Sequence, residues 1–146
     1  MREDRASGEL TAARQAVATA QDSLTARRNE MDLFNRTREE RRDRIYATVI
    51  GRTVTREQLD LAQEGVARID EEGALKADNV VRAEADLRKC EEAADLAHAS
   101  FIAATKNRMK IDEHKSDWMR RYAKEQEARS EGELEDFTGR KQDLDS

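Results

Sequence analysis

The chain has 146 residues, of which 40% are charged, 4% aromatic and none proline, and its formal net charge is -5. So few large apolar side chains cannot fill a globular core, and an acidic balance argues against a general nucleic-acid binder. Disorder is disfavoured as well, because the charges are mixed in sign and 22 alanines join other strong helix formers.

Two long segments follow one rule. In the first, residues spaced alternately three and four apart run from Leu10 through Val17, Leu24, Met31 and Phe34 to Arg38, Arg41 and Ile45. The second runs from Leu59 through Ile69, Val80, Leu87 and Phe101 to Ile111, Trp118 and Tyr122. A stripe held in that register over many turns is the mark of a left-handed coiled coil. Helix 1 is predicted over about residues 7–50, a tip over 51–55, helix 2 over about 56–131 and an acidic tail over 132–146. All of these are expected to form one coiled-coil unit.

Gly51 suits the end of a helix, since glycine enters the left-handed region without a side-chain penalty. Thr55 and Gln58 then stand at the spacing of a capping box. A connection this short returns the second helix antiparallel to the first. The predicted fold is therefore all-α, a long antiparallel two-helix coiled-coil hairpin. With Ile45 set opposite Leu59, Met31 faces Gly73, Leu24 faces Val80 and Leu10 faces Ala94. On that pairing helix 1 runs out at the level of Phe101, so the arms are unequal and helix 2 overhangs.

Catalysis finds no support here. A two-helix rod offers no pocket in which reacting groups converge. His98 and His114 stand sixteen residues apart, Cys90 is alone on the seam, and no glycine-rich phosphate loop occurs. No catalytic residue, metal or cofactor is expected. The lone cysteine fits a reducing compartment. MREDRASGEL has no signal-like apolar stretch, and no run reaches the roughly 18 residues of a membrane span, so direct membrane insertion is not expected.

Function is therefore sought on surfaces. The first candidate is the overhang, where Ile111, Lys115, Trp118 and Tyr122 continue the seam with Met109 and Met119 beside it. Aromatic residues and methionine are enriched where proteins dock. Residues 106–124 hold seven basic and three acidic side chains, a local excess of four positive charges that includes Arg120 and Arg121. An acidic, apolar partner fits such a stripe. The tip is the second candidate, with Ile50 and Val54 flanking the turn and Arg52 and Arg56 pointing off its end. A third feature is the run Arg36–Arg44, which sets Arg38 and Arg41 on the seam and within reach of carboxylates on helix 2.

Two stretches carry a family resemblance. Arg5 to Arg14 reads RAxxEL followed by AR, and residues 112–140 read DEHKSDWMRRYAKEQEARSEGELEDFTGR. The second combines a basic, aromatic run at His114–Arg121 with an acidic element ending in Phe137. The layout resembles the YscO family, central stalk proteins of bacterial type III secretion systems and relatives of the flagellar protein FliJ. It departs from that pattern at MREDRA, where members often begin with a basic, apolar LxRVKxLR-like segment. The resemblance spans nearly the whole length. It implies a fold like the coiled-coil pair of the rotary ATPase gamma subunit, in a non-enzymatic stalk and adaptor. Such a protein links the hexameric secretion ATPase to the export gate protein of the inner membrane and binds translocator-type secretion chaperones. The place implied is cytoplasmic and peripheral, at the inner-membrane base of a virulence apparatus. Trp118, Arg120, Arg121, Tyr122 and Phe137 are the contact residues expected for that role. The alternative is a structural scaffold whose 106–122 stripe is buried in a homodimer.

Overall fold

The computed structural model describes residues 2–145, with side chains from residue 2 to residue 139. It consists of two helices, α1 (Arg2–Ala47) and α2 (Arg56–Asp145), packed along each other as an antiparallel hairpin. At the usual rise, α1 is about 70 Å long and α2 about 135 Å.

The seam read from the sequence is the buried stripe. Ala6, Leu10, Leu24 and Phe34 of α1 are buried against Ala62, Ile69, Gly73 and Ala83 of α2. Burial of these few side chains, rather than helix propensity, holds the arms together.

The pairing along the seam differs from the expected one by three to eight residues. Gly65 and not Leu59 lies against Ile45, where a Cβ added to the glycine would stand 3.1 Å from Ile45 Cδ1. Gly73 receives Phe34 and not Met31. The ring approaches so closely that an added Cβ would lie 2.8 Å from Phe34 Cε1. Ion pairs shift in the same direction, with Arg28 to Glu84 at 3.4 Å and Arg108 to Glu3 at 2.8 Å. The cause is at the tip. α1 ends at Ala47, and residues 48–55 do more than reverse the chain. Thr48 and Val49 lie along the first two turns of α2, beside Gln58, Leu61 and Ala62. Leu59 has no helical partner there and is 41% exposed.

Both turn signals take their expected roles. Gly51 has φ 71°, in the left-handed region. The Thr55 backbone N–H donates to Gln58 Oε1 at 2.9 Å, and the Gln58 N–H donates back to Thr55 Oγ1 at 3.2 Å. At the other end α2 continues past residue 131, so the acidic tail is helical as far as Asp145. Gly132 and Gly139 have no positive φ, and the glutamates and leucine around them are good helix formers. Ser146, the last residue of that tail, lies outside the described residues, as do the side chains of residues 140–145.

Candidate docking surface on the overhang

Because the true pairing reaches Arg108, the free arm begins near residue 112, later than Phe101. Ile111 is therefore not unpartnered. It lines a groove with Arg2 and Glu3, at the last paired turn. From Asp112 to Glu131 every residue is exposed, since the seam there has nothing among the described residues to lie against.

Seven-residue spacing sets Lys115 and Tyr122 on one edge of that bare seam, with Trp118 between them on the other. Trp118 and Tyr122, one turn apart, stack with ring centroids 5.5 Å apart and planes inclined by 12°. Such a pair is rigid and offers aromatic area at little entropic cost on binding. Both rings remain more than half exposed. Lys115, Trp118, Met119 and Arg120 line one shallow depression, so the structure gathers these four into a patch that Tyr122 borders. Lys115, Arg120 and Arg121 make no ion pair among the described residues, which leaves their charge available. The arrangement can grip an apolar surface with acidic surroundings.

Other expected site residues lie elsewhere. Met109 is exposed but stands off the seam, on the side away from the Arg2–Glu3 groove. Phe137 is exposed about 22 Å further along α2 than Tyr122. Ile50, Arg52 and Arg56 are exposed at the tip with Val54 half-buried, roughly 90 Å from Trp118. Tip and overhang are separate surfaces.

The arginines of the 36–44 run are structural. Arg38 Nη2 reaches Asp70 at 2.9 Å and Arg41 Nη1 reaches Glu72 at 2.8 Å, while both guanidinium carbons stand 5.9 Å from the centre of the Phe34 ring. Phe34 is thus clasped between Gly73 below and two cations at its flanks. Arg42 is held further into its charged form by a hydrogen bond with Tyr46 and by the nearby Asp70 carboxylate.

Seam reading passed over Leu134, which is exposed between Tyr122 and Phe137, and the leucines outside the seam at 33, 61, 75 and 96. Leu61, Leu75 and Leu96 share one column of α2 at multiples of seven residues, with Arg68, Arg82 and Lys89 between them. Among the described residues no group of His, Cys, Asp or Glu is placed to hold a metal, and no helix is long and apolar enough to cross a membrane.

No curated protein and no solved structure matches the chain. The family model described as "Type III secretion protein YscO" matches residues 1–140, nearly the full length, and the chain belongs to that family of type III secretion proteins.

Proposed function

We propose that this chain is the non-enzymatic stalk and adaptor of a type III protein secretion apparatus. Family membership and the absence of a metal-holding group among the described residues are consistent with a protein that does no chemistry of its own. In this reading the rod couples the secretion ATPase ring to the export gate protein of the inner membrane and binds translocator-type secretion chaperones. It works peripherally, at the cytoplasmic base of the apparatus. The observation that carries the reading is the bare overhang. A stacked Trp118–Tyr122 pair with unpaired cations beside it stands on a helix that outlasts its partner.

Pull-down of purified ATPase, export-gate cytoplasmic domain and chaperone by the W118A/Y122A variant tests it. Removing two aromatic anchors is expected to weaken capture of at least one of them about 30-fold or more, with helicity unchanged. Unaltered capture of all three overturns the assignment of the docking surface.

A further inference from the structure

The hairpin has two flat sides, and they are unlike. On one side ion pairs bridge the arms, Arg28 to Glu84 and Arg38 to Asp70. On the other the arms leave open grooves along their length, interrupted where Arg41 meets Glu72 at 2.8 Å. Ala16, Ser23, Glu30, Thr37 and Arg44 stand seven residues apart on α1, and every one of them lines a groove on this side. The matching column on α2 is Leu61, Arg68, Leu75, Arg82, Lys89 and Leu96, also seven apart, with Leu61 and Lys89 lining the same grooves. A seven-residue repeat keeps one side of a left-handed supercoil, so the whole column shares that side. Leu33, Leu61, Leu75 and Leu96 are each at least 60% exposed. A grooved side carrying four bare leucines over about 50 Å is an uncovered interface.

We infer that this side is covered by a second copy of the chain, packed with its rod parallel to the first. The argument is complementarity. Gly65 on Ile45 and Arg108 on Glu3 show that residues of α1 and α2 at one level have numbers adding to about 110. A two-fold axis along the rod lays the α1 of each copy on the α2 of the other at that same level. Leu75 then meets Leu33 of the second copy, and Leu96 meets the small residues Ala12 and Ala16. Arg82 meets Glu30, and Arg68 meets Glu40. Leu75 and Leu96 thus fall on apolar residues and Arg82 and Arg68 come within reach of glutamates, while Lys89 falls on Thr19 and Ser23. Each contact occurs twice by symmetry, as in an isologous interface. The competing antiparallel arrangement, with Leu61 on Leu96, sets Arg68 against Lys89 and loses this match. In the isolated hairpin Arg82 and Glu30 hold only exposed neighbours on their own helices, Asp78 at 3.5 Å and Arg27 at 3.3 Å. Such pairs exchange readily. Two helices over about 50 Å bury on the order of 2,000 Å² in total, the size of a stable dimer. The seam of the overhang lies outside this side, so the inference stands whether or not the overhang docks as proposed.

Sedimentation equilibrium of the full chain up to about 100 µM, combined with spin-label distances, tests it. The wild type is expected to be a dimer, and L33K/L75K to dissociate at least about 30-fold more readily with helicity retained. E30R and R82E are each expected to weaken the dimer about 3- to 10-fold, and E30R/R82E to restore it. A single label at Ala128→Cys in a Cys90→Ala background is expected to show a distance between copies below about 50 Å, since parallel rods carry both overhangs to one end. A monomer throughout, a dimer indifferent to L33K/L75K, or a dimer without dipolar coupling between the labels each overturns the inference. Loss of the dimer in W118A/Y122A with L33K/L75K still dimeric places the contact on the overhang and overturns it as well.

Discussion

Two stretches of the same helix follow opposite rules. Between Ala62 and Ala104, α2 has a partner, and its seam is built mostly of small residues, with Ala62, Gly73 and Ala83 buried. Past Ile111 the seam carries the only tryptophan of the chain and a tyrosine, and both are bare. The aromatics of α2 past Ile111 therefore stand where they contribute least to the fold, while in the paired stretch small residues of α2 let Phe34 and Leu24 of α1 be buried. The contrast is tested first by truncating one aromatic on each side of it. Phe34→Ala removes the ring seated on Gly73 and is expected to lower stability by about 3 kcal/mol. Trp118→Ala is expected to leave the melting temperature where it is. Thermal melts followed by circular dichroism decide it, and equal shifts for the two variants remove the distinction between the stretches.

Glycines sharpen the same contrast at smaller magnitude. Gly73→Ala brings a Cβ to 2.8 Å from a rigid ring, whereas Gly132→Ala places its Cβ in open space. Alanine favours helix over glycine by about 1 kcal/mol at either site. At Gly73 the displaced Phe34 is expected to outweigh that gain, for a net loss of about 1–2 kcal/mol in denaturant unfolding. At Gly132 the gain stands, read as slower amide exchange in the surrounding turns. A stabilised Gly73→Ala protein would mean that the ring moves aside freely and that Gly73 does not fix the pairing.

What the sequence disclosed follows from what each feature depends on. The seam, the left-handed Gly51 and the Thr55–Gln58 box rest on local spacing and backbone preference, and all three were legible. So was the reach of Arg38 and Arg41 to carboxylates of α2. Pairing along the seam was not, because it rests on shape. Ile45 and Phe34 fit over Gly65 and Gly73, and Val49 adds packing at the tip that a bare turn lacks. The late start of the overhang, and with it the pairing of Ile111, follows from that one shift. Trp118, Met119, Lys115 and Arg120 share one depression because neighbours on one helix face need no tertiary contact to meet. Leu61, Leu75 and Leu96 share a column outside the seam, interleaved with basic residues, which a search confined to one stripe does not see.

Capping supplies a third, smaller test, one that bears on the tip rather than on either stretch. Thr55→Ala removes the acceptor of the Gln58 N–H and is expected to cost about 1 kcal/mol of hairpin stability. Thr55→Asp retains an acceptor at the same place and adds a favourable charge at a helix N-terminus, so it is expected to fall within about 0.5 kcal/mol of the wild type. Denaturant midpoints for the two variants measure the difference. Equal losses would assign the effect to the Thr55 methyl group and not to the box.

Least is expected of the clasp around Phe34, although it is the most conspicuous polar feature of the paired stretch. Arg38 and Asp70 are 2.9 Å apart, yet their side chains are 38% and 48% exposed, so solvent screens the attraction. Arg38 Nε is moreover buried without a hydrogen-bond partner among the described residues, a desolvation that offsets part of what the outer nitrogens gain. The coupling of Arg38 and Asp70 in a double-mutant cycle is therefore expected at about 0.5 kcal/mol, falling with added salt. Arg38→Met keeps an apolar stem over Phe34 and deletes the unpartnered nitrogen, so its stability is expected within about 0.5 kcal/mol of the wild type. A coupling of several kcal/mol would instead make the clasp, and not the seating of Phe34 on Gly73, the feature that fixes the two arms in their pairing. The overhang inverts this ordering. There Lys115, Arg120 and Arg121 hold no carboxylate among the described residues, so neutralising them should leave unfolding unchanged and register only in the salt dependence of binding an acidic partner.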